Sequence, residues 1–169
     1  IDLWETGSML QTSCYMVSRQ LVYESGGWKE NLLMNQDGDF FSRILMIASK
    51  AYFISNAKVY YRIGEYSTVS KANSENKLVS LLDSYISYKE NALIHKDNLR
   101  VRKALSYNFT YFIYLYGNKY PALYKKAKDQ VENLGVGFQL RKKSPRIRFV
   151  SKILGFANLM AIRRIISKE

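Results

Sequence analysis

The sequence predicts a chain that is α+β by content and mainly helical, with a mixed α/β part over residues 1–71 and an all-helical region after it. Three observations predict this. Residues 51–54 and 58–63 are aromatic and β-branched runs parted by Ser55-Asn56, the composition of two short strands. Beyond residue 72 apolar side chains recur at i, i+3 and i+4, the mark of amphipathic helices. The charge changes at the same place: residues 1–70 carry 6 Lys+Arg against 7 Asp+Glu, and residues 71–169 carry 20 against 7.

The elements follow in order. Residues 9–17 read as a strand in a mixed environment, and Ser18 offers an N-cap for a short helix over 19–25. Gly26 and Gly27 close that helix by admitting positive φ. The loop 28–36 has no clear period and carries Trp28 and Glu30. A helix over 39–49 is predicted from Phe40, Phe41, Ile44, Leu45 and Ile47, with Asp37 and Asp39 at its start, where the macrodipole and unpaired N–H groups favour carboxylates. The two short strands come next, and then a polar loop over 64–70.

The second part is read as a helical domain over 72–135 and a basic linker with an amphipathic helix over 136–169. A helix over 73–95 places Leu78, Leu81, Leu82, Tyr85, Ile86 and Tyr88 on one face. A second, over 99–116, is rich in tyrosine and phenylalanine and is closed by Gly117-Asn118. A third begins after Pro121, which a first helical turn tolerates, and ends near Leu134-Gly135. The linker 135–145 carries Arg141-Lys142-Lys143, and a last helix over 146–167 bears Val150, Ile153, Leu154, Ala157, Met160, Ala161 and Ile165 on one side.

Composition narrows the function. With 47% hydrophobic and 14% aromatic residues the chain has a foldable composition. Cys14 is the only cysteine, which leaves no internal disulfide or cysteine metal site and suits a reducing cytoplasm. No run reaches the roughly 18 apolar residues a membrane span needs. The chain opens on Ile1 with no leader, and the expectation is a piece of a longer protein. His95 has no partner for metal binding and reads as a surface residue. The tyrosines of the helical region, beside Phe109, Phe112 and Ile113, read as core rather than as a stacking platform for bases.

Four stretches carry a resemblance. Gly26-Gly27-Trp28-x-Glu30, then Gln36-Asp37-Gly38-Asp39-Phe40-Phe41-x-Arg43, then Val59-Tyr60-Tyr61-Arg62-Ile63, and then a Ser-rich loop resemble the C-terminal half of family 2 glycosyltransferases. The span is roughly residues 7 to 71. The resemblance implies the acceptor-side half of a GT-A fold, an inverting transfer from a nucleotide-sugar in polysaccharide or glycoconjugate synthesis, and Asp37 as general base. It places Trp28, Glu30, Gln36 and Asp39 around the acceptor, and Arg62 and Ser67 near the donor diphosphate. Gly64 stands where many relatives have a histidine. The family's metal-binding Asp-x-Asp belongs to the N-terminal half, so Mg²⁺ or Mn²⁺ is expected outside this chain and no metal ligand within it. This chain alone is expected not to turn over sugar.

Each site residue also has a plainer account. Asp37 and Asp39 can be helix caps, Trp28 can be core, Glu30 a surface carboxylate, and Arg62 the partner of a helix aspartate. The expected partners are a nucleotide-sugar and a sugar or lipid-linked acceptor, with a homo-oligomer left open and no nucleic acid. The expected location is cytoplasmic, with the basic segment 141–168 touching the inner face of an anionic membrane. The alternatives to an enzyme are a basic helical module that binds an anionic membrane or nucleic acid, and an oligomerisation module built on the tyrosine-rich helices.

Overall fold

The computed structural model describes residues 1–8, 10–60, 74–140, 149, 151 and 153–166. Among the described residues the α-helices with defined bounds are α1 (Asp2–Thr6), α2 (Arg19–Glu24), α3 (Gln36–Ile47), α4 (Glu75–His95), α5 (Leu99–Tyr116), α6 (Pro121–Leu134) and α7 (Phe156–Ile166). A 3-10 turn, Thr12–Cys14, lies between α1 and α2. Among the described residues there is no strand and no sheet.

That overturns the α/β expectation for residues 1–71, and with it the acceptor-side half of a GT-A fold. The stretch predicted as a first strand holds the 3-10 turn instead. Residues 51–60 have no regular structure beyond a turn at Ser55-Asn56, and Tyr52, Phe53, Ile54, Val59 and Tyr60 lie exposed. The physical reason is pairing. Aromatic and β-branched composition fits a pleated, half-buried surface, but a strand also needs a neighbour to take its N–H and C=O groups. No described residue supplies one. Residues 61–63, the rest of the second predicted strand, lie outside the described residues, as does the loop 64–70.

The chain divides into two compact units, Leu10–Asn91 and Ile1–Met9 with Ala92–Glu169. In the first, Ser18 caps α2 by accepting from Leu21 N at 3.2 Å, and Gly26 and Gly27 end it at φ 78° and 67°. The helix α3 starts three residues earlier than its apolar period, because Asn35 at the N-cap takes the left-handed conformation, φ 62°. Phe40, Phe41 and Ile44 then form a core with Tyr15, Val17 and Val22. Leu78, Leu81, Leu82 and Tyr88 of α4 are buried, as the apolar spacing of that helix requires.

In the other unit α5 and α6 pack as an antiparallel pair. Val101, Ala104, Leu105, Phe109, Phe112 and Ile113 face Leu123, Ala127, Val131 and Leu134, all buried. Pro121 occupies the first turn of α6, and Gly135 ends it at φ 68°. The chain beyond α6 is held along α5: Ser106 Oγ donates to Gly137 O at 2.7 Å, and Gln139 N donates to Thr110 Oγ1 at 3.1 Å. Phe138 packs on Phe156 with centroids 4.6 Å apart, which seats the start of α7. The single long helix expected over 146–167 is interrupted at Gly155, which sits at φ 77°.

Candidate functional site

The two carboxylates at the start of α3 have opposite environments. Asp39 is 0% exposed. Its Oδ2 accepts from Arg43 Nε at 3.0 Å and Nη2 at 2.9 Å, one helical turn on, and its Oδ1 accepts from Lys29 Nζ at 3.1 Å. A buried charge is tolerated when it is paired and hydrogen-bonded, and here both oxygens are engaged by cations. Arg43 is buried too, and it also donates to Ser25 O and, at 2.7 Å, to Gly27 O. Lys29 reaches on to Ser87 Oγ of α4 at 2.7 Å. One aspartate thus ties the Gly26-Gly27 turn, the Trp28 loop and two helices together.

Asp37 is only half-buried. Its Oδ1 accepts from Gly38 N at 2.8 Å, and its Oδ2 accepts from Thr12 Oγ1 at 3.3 Å. Each oxygen keeps acceptor capacity beyond its one bond. Close by, Tyr15 stacks on Phe41 with centroids 4.1 Å apart. Burial pushes the Tyr15 phenol above its ordinary range, and the neighbouring Cys14 and the Asp37 carboxylate push it further the same way.

Trp28 lies flat on Phe40 at 4.4 Å and edge-on to Phe41 at 6.1 Å, yet stays 45% exposed. It is therefore neither wholly core nor free of it. Phe40 and Phe41 stand three and four residues after Asp37 on the same helix, and Trp28 and Tyr15 pack on them. Glu30 and Gln36 are exposed. Arg62 and Ser67, assigned to the donor diphosphate, lie outside the described residues.

The loop between Trp28 and α3 is fastened from α4 by a hydroxyl stripe that sequence reasoning missed. Ser80 Oγ accepts from Leu33 N at 2.7 Å and Met34 N at 3.2 Å. Asn35 Nδ2 donates to Ser84 Oγ at 2.8 Å and to Tyr88 OH at 2.7 Å. With Ser87 these residues fall at 80, 84, 87 and 88, one face of a helix, and all four are buried. The signal was present as serines at helical spacing inside an apolar stripe. Gly38 completes the arrangement, because a Cβ there would collide with Tyr88 OH and with the Asn35 side chain. The Asp39/Arg43 pair was equally legible as opposite charges at i, i+4.

The resemblance places its divalent cation outside this chain. Among the described residues no three His, Cys, Asp or Glu side chains gather as a ligand set, and Asp39 is committed to Arg43 and Lys29. His95 and Cys14 are exposed. No helix among the described residues is long and apolar enough to cross a membrane. Comparison with known proteins finds no matching family model, no matching curated protein and no matching solved structure.

Proposed function

We propose that this chain is part of an inverting, nucleotide-sugar-dependent glycosyltransferase of polysaccharide or glycoconjugate synthesis, with Asp37 as the general base. The observation that supports it is the division of labour at the start of α3. Asp39 is consumed by Arg43 and Lys29, whereas Asp37 stays half-exposed and, among the described residues, accepts from Gly38 N and Thr12 Oγ1 with no cationic partner. A base for sugar transfer must be held in place and still meet a hydroxyl. Only Asp37 of the pair meets both conditions.

The chemistry is a single displacement. The acceptor hydroxyl gives its proton to an Asp37 oxygen as its own oxygen forms the bond to C1 of the donor sugar. The bond from C1 to the nucleoside diphosphate breaks on the opposite face, and the anomeric configuration inverts. Trp28 offers an aromatic face to an acceptor ring, and Glu30 and Gln36 offer exposed polar groups to its hydroxyls. Arg62 and Ser67 are the residues of this chain assigned to the donor diphosphate, and the cation that would neutralise it is assigned to residues outside this chain.

The test uses the full-length product that contains this chain. Release of nucleoside diphosphate is measured over a panel of nucleotide-sugars with Mn²⁺, for wild type and Asp37→Asn. The expected result is turnover by wild type and a loss of about 10² to 10⁴ in the variant, which stays folded. Equal turnover by both proteins would remove the base assignment. No release by wild type with any donor would remove glycosyl transfer altogether.

A further inference from the structure

Asp37 is held from two sides, and one of them lies outside its own helix. Its Oδ1 accepts from Gly38 N at 2.8 Å, a bond to the next residue of α3. Its Oδ2 accepts from Thr12 Oγ1 at 3.3 Å, across 25 residues of chain. The torsion that turns an aspartate carboxylate is broad and two-fold, so one local bond leaves the other oxygen room to swing. A second donor on a separate element sets the plane of the group.

The turn that carries Thr12 is itself fastened to α3. Cys14 N donates to Gln11 O at 2.8 Å and Tyr15 N to Thr12 O at 3.2 Å, which closes the 3-10 turn Thr12–Cys14. Tyr15 then stacks on Phe41 with centroids 4.1 Å apart, and Val17 packs against the same core. Phe41 stands four residues after Asp37, one helical turn on. The ring stack thus keeps the turn in register with the start of α3. Thr12 is β-branched and half-buried, so its hydroxyl has few rotamers through which to leave the carboxylate.

We infer that Thr12 is a positioning residue for Asp37, its hydroxyl holding the carboxylate in the orientation that takes the proton of the attacking hydroxyl. The inference rests on the reading of Asp37 as general base. Thr12 acts through the carboxylate and not on a reactant. A carboxylate that turns about its own axis meets the hydroxyl in the right geometry only part of the time, and proton transfer depends on that geometry. The donor diphosphate is assigned to Arg62 and Ser67, so donor binding does not depend on Thr12.

The experiment uses the full-length product that contains this chain. Release of nucleoside diphosphate is followed with Mn²⁺ and the nucleotide-sugar that wild type turns over fastest. The proteins compared are wild type, Thr12→Val, Thr12→Ser, Asp37→Asn and the double variant Thr12→Val with Asp37→Asn, each checked for folding by circular dichroism. Valine keeps the β-branched shape and removes the hydroxyl. The expected result for Thr12→Val is a fall in kcat of about tenfold, with the donor KM within about twofold of wild type. Thr12→Ser keeps the hydroxyl and should recover most of the rate. Asp37→Asn should lose about 10² to 10⁴, and adding Thr12→Val to it should cost no more, because no base is left to position. Equal kcat in wild type and Thr12→Val, beside an inactive Asp37→Asn, would overturn the positioning role and leave the base standing. A Thr12→Ser as slow as Thr12→Val, or the same loss from Thr12→Val with and without Asp37, would trace the effect to packing of the turn and overturn it too. Full turnover by Asp37→Asn, or none by wild type, would remove both assignments together.

Discussion

Arg43 reaches back one helical turn to Asp39, placing Nε at 3.0 Å and Nη2 at 2.9 Å from the same carboxylate oxygen. The other oxygen is held by Lys29, so a buried anion sits between two cations drawn from a loop and a helix. The neighbouring Asp37 has no cationic partner of this kind among the described residues. Two aspartates two positions apart therefore do different work.

Removing one partner of a buried pair leaves the other charge unpaired, which costs about 3 to 5 kcal/mol. Asp39→Asn and Arg43→Met should each destabilise the chain by about that much in urea unfolding. Lys29→Met should cost less, because Lys29 is part-exposed and water screens it. Asp37→Asn should cost under about 1 kcal/mol, since it forfeits only exposed or half-exposed hydrogen bonds. A large loss for Asp37→Asn and a small one for Asp39→Asn would reverse their roles.

Gly38 tests the fastening of α3 to α4. Alanine is the better helix former by about 1 kcal/mol, so an unobstructed site would be stabilised. Here the new methyl group meets Tyr88 OH and the Asn35 side chain. Gly38→Ala should destabilise the chain by about 1 to 3 kcal/mol, the usual cost of overpacking. A stabilised variant in thermal melts would show that α4 stands off from α3.

Tyr88 supplies a pH dependence. Burial raises its phenol well above the usual 10, the Asn35 hydrogen bond pulls the other way, and Tyr85, Asp39 and Asp37 add to the rise. A raised folded value means that the folded chain holds its proton after the unfolded chain has lost it. Stability is then intact below pH 10 and falls as pH climbs above it, by up to about 1.4 kcal/mol per pH unit. Urea midpoints at pH 9, 10 and 11 should show this slope, and Tyr88→Phe should flatten it. Parallel slopes in the two proteins would assign the effect elsewhere.

Ser80 holds two backbone amides with one hydroxyl. Ser80→Ala leaves Leu33 N and Met34 N without that acceptor, at a cost of about 1 to 3 kcal/mol. Hydrogen exchange should quicken at those two amides while α5 and α6 keep their protection. Unchanged exchange at 33 and 34 would mean that the loop is held by other bonds.

The helices were legible because their signals are local. Ser18 and Gly26-Gly27 bound α2, Pro121 and Gly135 bound α6, and the periods of α4 and α5 needed only 3.6 residues per turn. Residues 51–60 were misread for the converse reason. Their composition is that of strands, but a strand exists only beside another, and composition cannot say whether a neighbour is there. Helix starts and breaks set by a single left-handed residue, Asn35 and Gly155, were also missed, since such a conformation is a choice the surroundings make.

The candidate site divides in the same way. By itself the sequence marked Asp37, Asp39 and Trp28 as belonging to one short segment, because chemistry-bearing residues and a helix start can be read from residue types in order. Only the tertiary structure decided which carboxylate is buried between cations and which stays half-exposed. That choice depends on Lys29 coming from a loop, Thr12 from a turn 25 residues away, and Ser80, Ser84, Ser87 and Tyr88 from a helix more than 40 residues on. Burial and pairing are properties of groups brought together across the chain, and no window of sequence contains both partners.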